Sequence, residues 1–294
     1  MEPLSQKYRE LIIKMMAHSH GEAHVGEQNV HQVGNRELLP FIDKIVEENL
    51  LPGSEVRHPE RLAELAAAAK KGEPCLLLLE HYSNFDLPVF HYLLRKSPKL
   101  EPSIADRLIA IAGIKLNESN SAVLAFTEAY SRLVIYPSRS IEIIKNNLKD
   151  PKELVAEMMR SATVNRAAMR QLGELKAQGN IILVFPAGTR FRPWDPSTKR
   201  GVREIDSYLR SFSKMCLVSV NGNILRINSS GAMEEDLICQ DRVIYDVSPM
   251  TDCAEFRDSV KREHHFRDDK KQAIVDQLMA TLEAMHDEVE KGRL

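Results

Sequence analysis

Residues 75–79 read CLLLL, an unbroken apolar run followed by Glu80 and His81. Successive side chains of a strand point to opposite faces, so a strand apolar at every position needs cover on both sides. Strands of that kind belong to sheets with parallel pairing and helices packed over them. His81 is then expected at the carboxyl end of a buried strand, at the sheet edge where open α/β proteins hold ligands. Ser83, Asn84 and Asp86 can each cap a helix, and Leu87, Phe90, Leu93 and Leu94 continue at helical spacing.

The same alternation recurs along the chain. "LIAIAGI" precedes "SAVLAFTEAY", "RLVIYP" leads into "SIEIIKNNL", and a long helix over Lys152–Gln178 stops at Gly179. "NIILVFP", "REIDSYLRSF", "MCLVSV" and "RVIYDVSPM" follow, with a closing helix from about Asp269. "HPERLAELAAAAKKG" predicts a helix with Pro59 near its start and Gly72 past its end. The expected fold is α/β, a mixed or parallel central sheet flanked by helices. Two amphipathic stretches, "LSQKYRELIIKMMAHS" and "RELLPFIDKIVEENLL", predict a small helical amino-terminal domain over residues 1–55 before an α/β domain over 56–294.

A chain of 294 residues can bury a full core, and a net charge of −2 gives no global reason to expect a nucleic-acid partner. No basic region followed by an apolar core opens the chain, and no apolar run approaches the roughly 20 residues that cross a bilayer. A cytoplasmic, soluble protein is expected, with peripheral contact at the inner face of a membrane as its most intimate dealing with lipid. Cys75, Cys216, Cys239 and Cys253 form no CxxC pair and are expected to be reduced.

Three strand ends carry chemistry. His81 with Asp86 is the minimum for a general base and its orienter, the carboxylate fixing the imidazole tautomer. In "NIILVFPAGTRFRPWDPSTKR", residues 180–200, an apolar strand opens onto Gly188, Thr189, Arg190 and Arg192, with Lys199 and Arg200 close behind. Gly188 lets the backbone turn tightly, and two guanidinium forks suit phosphate oxygens in a way that lysine does not. "RLVIYPSRS" adds Arg139. A base, its orienter and three arginines describe a site that deprotonates a hydroxyl on a phosphorylated substrate.

"HYSNFD", followed about a hundred residues later by "VFPAGTRFRP", resembles the glycerolipid acyltransferase superfamily, marked by a His-x4-Asp block and a Phe-Pro-Glu-Gly-Thr-Arg block. Through "AGIKL", "RLVIYPSRS" and "GTRFRPWDPST" the chain is most similar to the soluble, plastid-type glycerol-3-phosphate acyltransferases. The resemblance implies His81 as catalytic base, Asp86 as its partner, and Gly188, Thr189, Arg190 and Arg192 at the substrate phosphate. Arg139 and Ser140 stand where that family has a Lys-His pair on the same phosphate, and Ala187 replaces the Glu of the wider superfamily. The implied reaction transfers an acyl group from acyl carrier protein or acyl-CoA, as co-substrate, to glycerol-3-phosphate, with no cofactor and no metal. The alternatives are a 1-acyl-glycerol-3-phosphate acceptor, or a non-catalytic phospholipid-binding protein. Backbone amides near Asn84 or Gly188 are candidates for holding the oxyanion.

His18, His20, His24 and His31 match no tetrahedral zinc spacing and are expected to form a polar loop. Trp194 is expected as a partly buried loop anchor. "KREHHFRDDKK", residues 261–271, interleaves both signs of charge and is expected to be a solvated face rather than a docking patch.

Overall fold

Uninterrupted apolar runs in this chain become strands with no exposed residue, and the helices between them bury one stripe each. The computed structural model describes residues 1–229, 235–263 and 269–293. They fall into two units, one built from Met1–Arg9, Ile42–Leu108 and Lys176–Leu294, the other from Glu10–Phe41 and Ile109–Leu175.

In the first unit the strands that position the site are β1 (Glu55–Arg57), β2 (Cys75–Leu79), β3 (Ile181–Val184), β4 (Lys214–Asn221) and β5 (Ile244–Val247). They lie side by side in the order β3-β2-β4-β5-β1. β2 runs parallel to both β3 and β4, with Leu78 opposite Val184 and Leu79 opposite Val218. β5 is antiparallel to β4 and parallel to β1, so the sheet is mixed. All five residues of β2 are fully buried. Because its side chains alternate between faces, both faces of the sheet are covered there.

Helix α1 (Pro59–Lys70) packs against β2, β3, β4 and β5, and α3 (Lys270–Arg293) against β4 and β5. Between them in sequence, α2 (Asp86–Lys96) leads away from the end of β2. α1 starts with Pro59, whose missing N–H is no loss at a first turn. It buries Leu62, Leu65, Ala66 and Ala69 at helical spacing, and the small alanines let the helix lie close to the strands. Gly179 takes φ +74°, and a Cβ there would come 3.0 Å from the carbonyl oxygen of Ala69. That close approach is why a glycine stands between the long helix and β3.

In the second unit, strand Leu108–Gly113 runs parallel to Arg132–Ile135, which pairs antiparallel with His31–Gln32. Helix Pro151–Ala177 places Asn165 to bond both the amide and the carbonyl of Tyr136, at 2.8 and 3.0 Å. Buried Glu128 accepts from the Ser19 hydroxyl and from the amides of His20 and Gly21, and so ties down the histidine-rich loop. Among the described residues no three His, Cys, Asp or Glu side chains gather as metal ligands do. Residues 1–55 are shared between the two units, and His31–Gln32, expected in the polar loop between two helical stretches, is a short strand. Among the described residues no helix is long and apolar enough to cross a membrane.

Replacing Leu77 by Ala removes a fully buried side chain from the middle of β2. Chemical denaturation of the variant is expected to show a loss of about 2–5 kcal/mol, the usual range for a leucine cavity that cannot collapse.

Candidate active site at the ends of strands β2 and β3

Parallel neighbours end at the same edge of a sheet, so the loops that leave β2 and β3 meet although their sequences lie a hundred residues apart. The chain leaves β2 through Glu80 and His81 and turns through Ser83 to the start of α2. Ser83 acts as expected of a turn residue, its hydroxyl accepting from the Phe85 amide at 3.1 Å. Asp86 is the first residue of α2, and its side chain does not cap that helix. The carboxylate points back into the preceding turn. Its Oδ2 accepts from the Tyr82 amide at 2.6 Å, the Ser83 amide at 2.8 Å and His81 Nδ1 at 2.9 Å. The Tyr245 hydroxyl donates to the Asp86 carbonyl oxygen at 2.8 Å from a fully buried position. Burial first, and the charge of Asp86 second, push that hydroxyl's pKa far above its ordinary value, so it remains a donor.

A carboxylate oxygen can only accept, so Nδ1 of His81 carries the proton and the lone pair lies on Nε2. Asp86 is 1% exposed and the imidazole 17%. The ring stacks on Phe185, just past β3, with centroids 4.0 Å apart and planes 22° from parallel. Among the described residues Nε2 has no hydrogen-bond partner, and the side chain keeps 17% of its surface exposed. This arrangement can take a proton from a bound hydroxyl and return it.

The loop after β3 wraps the same edge. Gly188 takes φ +64°, the left-handed region that a side chain disfavours, and its amide donates to the Phe185 carbonyl at 2.9 Å. The amide of Phe191 donates to the His81 carbonyl at 2.8 Å, which sets Arg190 and Arg192 on either side of that contact. Arg190 is buried and paired with Asp236, itself buried and also holding the Asn228 amide at 3.0 Å. Arg192 donates to the Thr189 hydroxyl at 3.3 Å, and its own amide binds the Thr198 hydroxyl at 2.8 Å. Among the described residues no carboxylate lies within ion-pair distance of Arg192.

The structure therefore brings together His81, Asp86, Gly188, Thr189, Arg190 and Arg192. Arg139 and Ser140 belong to the second unit, in the first turn of helix Ser138–Asn147, with Arg139 exposed and Ser140 buried. Two expectations are corrected, on the Gly188 amide and on Trp194. Gly188 spends its amide within its own turn, so it is not a free oxyanion donor. Lys199 and Arg200 are engaged by Glu283 and Asp276 of α3. Trp194 is 53% exposed rather than anchored. Of the stretch 261–271, residues 264–268 lie outside the described residues; Asp269 beside them pairs with Arg203.

Sequence reading missed Glu80, Tyr82, Asp236 and His286. Glu80 carried the one available signal, a charge directly following five apolar residues, in a place where an ionised group needs partners. Asp236 and His286 gave none, because they approach the site only through the fold.

No family model matches the chain, and no curated protein matches it. Among solved structures it is similar to a 1-acyl-sn-glycerophosphate (LPA) acyltransferase, PlsC, from Thermotoga maritima. The TM-score is 0.40 at 13% identity, covering 95% of this chain and 89% of that one.

Asp236→Ala would leave the Arg190 guanidinium buried without its counter-charge. The variant is expected to lose about 3–5 kcal/mol of unfolding free energy, the usual penalty for breaking a buried pair from one side. Urea denaturation monitored by circular dichroism measures it.

Proposed function

We propose that the chain is an acyltransferase that moves an acyl group from a thioester, carried by acyl carrier protein or coenzyme A, to the hydroxyl of glycerol-3-phosphate. The observation that carries this reading is the His81–Asp86 dyad: Nδ1 tied to a buried carboxylate, Nε2 without a hydrogen-bond partner among the described residues, on a loop bonded to the one that holds Arg192. A protein that only binds has no use for an oriented base.

In this reading Nε2 of His81 takes the proton of the acceptor hydroxyl as its oxygen attacks the thioester carbonyl. The tetrahedral intermediate collapses, the carbon–sulfur bond breaks, and His81 returns the proton to the departing thiolate. Asp86 keeps the tautomer and stabilises the imidazolium formed in between. Arg192, beside Thr189, meets the acceptor's phosphate, and Arg190 offers the N–H donors that Asp236 leaves unused. The side-chain amide of Asn84 is engaged by Asp236 at 3.4 Å, while its backbone N–H has no hydrogen-bond partner among the described residues and takes the place of Gly188 as the candidate oxyanion donor. Holding both substrates in line supplies much of the acceleration.

The cysteines stay outside the chemistry. Burial pushes the thiols of Cys75, Cys216 and Cys253 up to about 12, so at neutral pH none of the three presents a thiolate.

Thiol release from an acyl thioester, measured with glycerol-3-phosphate, with its 1-acyl form and with neither, tests the proposal. Release that depends on glycerol-3-phosphate is the expected result. Release only with the 1-acyl form would reassign the acceptor, and no acceptor-dependent release would leave the phospholipid-binding alternative. His81→Ala is expected to abolish transfer with the fold intact, and Asp86→Asn to lower kcat about 10⁴-fold through the wrong tautomer. Arg192→Ala is expected to raise KM for the phosphorylated acceptor more than it lowers kcat.

A further inference from the structure

The residues on either side of His81 are bonded into one buried carboxylate, and its cation comes from the C-terminal helix. β2 and β4 pair in register as far as Leu79 opposite Val218, and the last backbone bond between them runs from the Glu80 amide to the Val218 carbonyl at 3.1 Å. The amide of Val220, two residues further along β4, meets no carbonyl from β2. It donates instead to Glu80 Oε2 at 2.9 Å. The side chain of Glu80 thus completes the ladder while its backbone leaves the sheet, and the next residue is His81.

That solution puts a carboxylate where it is 4% exposed, which is strongly unfavourable without partners. Three donors hold it. Besides Val220, the Tyr82 hydroxyl reaches Oε1 at 3.1 Å, and Nδ1 of His286 reaches Oε2 at 3.1 Å. Among the described residues His286 is the one basic side chain within ion-pair distance of Glu80, a cation when protonated. Asn221, at the end of β4, fastens the helix there by donating to the His286 carbonyl at 2.9 Å and to Glu290 at 3.1 Å. Tyr82 also packs edge-on against Phe191, the residue whose amide binds the His81 carbonyl.

We infer that Glu80 and His286 are positioning residues of the active site, through which α3 holds the turn carrying His81 and Asp86 in its working geometry. The inference rests on the function proposed above for its activity readout only. His286 faces Glu80 and Tyr82 from the strand end, Lys199 from the loop after β3, and Glu283 and Glu290 on its own helix. Burial acts to lower its pKa, and the contact with Glu80 outweighs that and leaves it raised. A raised histidine pKa means the protonated pair is fully present below the ordinary value near 6.5. It is lost as pH rises through the higher folded value, so the alkaline side is where positioning fails.

The test uses the full chain with ¹⁵N-labelled histidine. The Nδ1–H resonance of His81, assigned by its loss in His81→Ala, reports the dyad without substrate. In His286→Gln this resonance is expected to shift or broaden. In the transfer assay kcat is expected to fall at least tenfold at pH 6.5, with KM within twofold of wild type. The wild-type decline of kcat on the alkaline side is expected to be absent from the variant. Glu80→Gln combined with His286→Gln is expected to be no worse than either alone, the signature of one shared interaction. Should His286→Gln fail to fold by circular dichroism, Tyr82→Phe, which removes one donor to Glu80 and leaves no charge unpaired, takes its place with the same expected resonance change. An unmoved His81 resonance overturns the inference, as does a kcat within twofold of wild type in a chain that transfers acyl groups. In a chain that transfers none, the resonance alone decides, and the two proposals fail separately.

Discussion

Parallel pairing of β2 with β3 and β4 is the constraint on which the site depends. Parallel strands cannot be joined by a tight hairpin, so their ends are supplied by distant stretches of sequence and all emerge at one edge. Here the edge receives Glu80 and His81 from β2, Phe185 and the Gly188–Arg192 loop from β3, and Val218, Val220 and Asn221 from β4. Each neighbour contributes something different: a stacking ring, a cationic loop, and an amide that holds the departing chain. His81 itself touches two of these, its ring stacking on Phe185 and its carbonyl accepting from the Phe191 amide.

The edge also concentrates buried charge. Glu80, Asp86 and Asp236 are all nearly inaccessible, and each is satisfied in its own way. Asp86 is held by two backbone amides and the imidazole on a single oxygen, Asp236 by a guanidinium, a backbone amide and the Asn84 side chain, and Glu80 by an amide, a hydroxyl and an imidazole. An apolar core would be the more stable filling. Carboxylates aimed at defined donors give instead a unique geometry, which an oriented base requires and a hydrophobic contact does not supply.

Arg190 and Arg192 show how two residues of one type in one motif part company. Both lie in the loop past β3, where Arg192 forms an isolated antiparallel bridge with Asp195. Arg190 is drawn to Asp236, while Arg192 stays without a carboxylate beside Thr189. The two residues differ in their partners and not only in position. The basic residues that follow, Lys199 and Arg200, are likewise claimed by α3.

What the sequence by itself determined is what depends on neighbours along the chain. The apolar run at 75–79, the alternation of strands and helices, the helix with Pro59 at its start and Gly72 past its end, and the stop at Gly179 all express local sterics and periodicity, and all appear in the structure. The His81–Asp86 contact belongs with these, since five residues and one turn separate the partners. Only the tertiary structure decided what covers that turn. Glu80 and His286 are 206 positions apart and Arg190 and Asp236 46 apart, and no local pattern marks either pair. The distribution of residues 1–55 over two units is of the same kind. A buried charge announces in sequence that it needs a partner; which residue answers is settled by how strands and helices pack, because the energy that selects it exists only once water has been excluded.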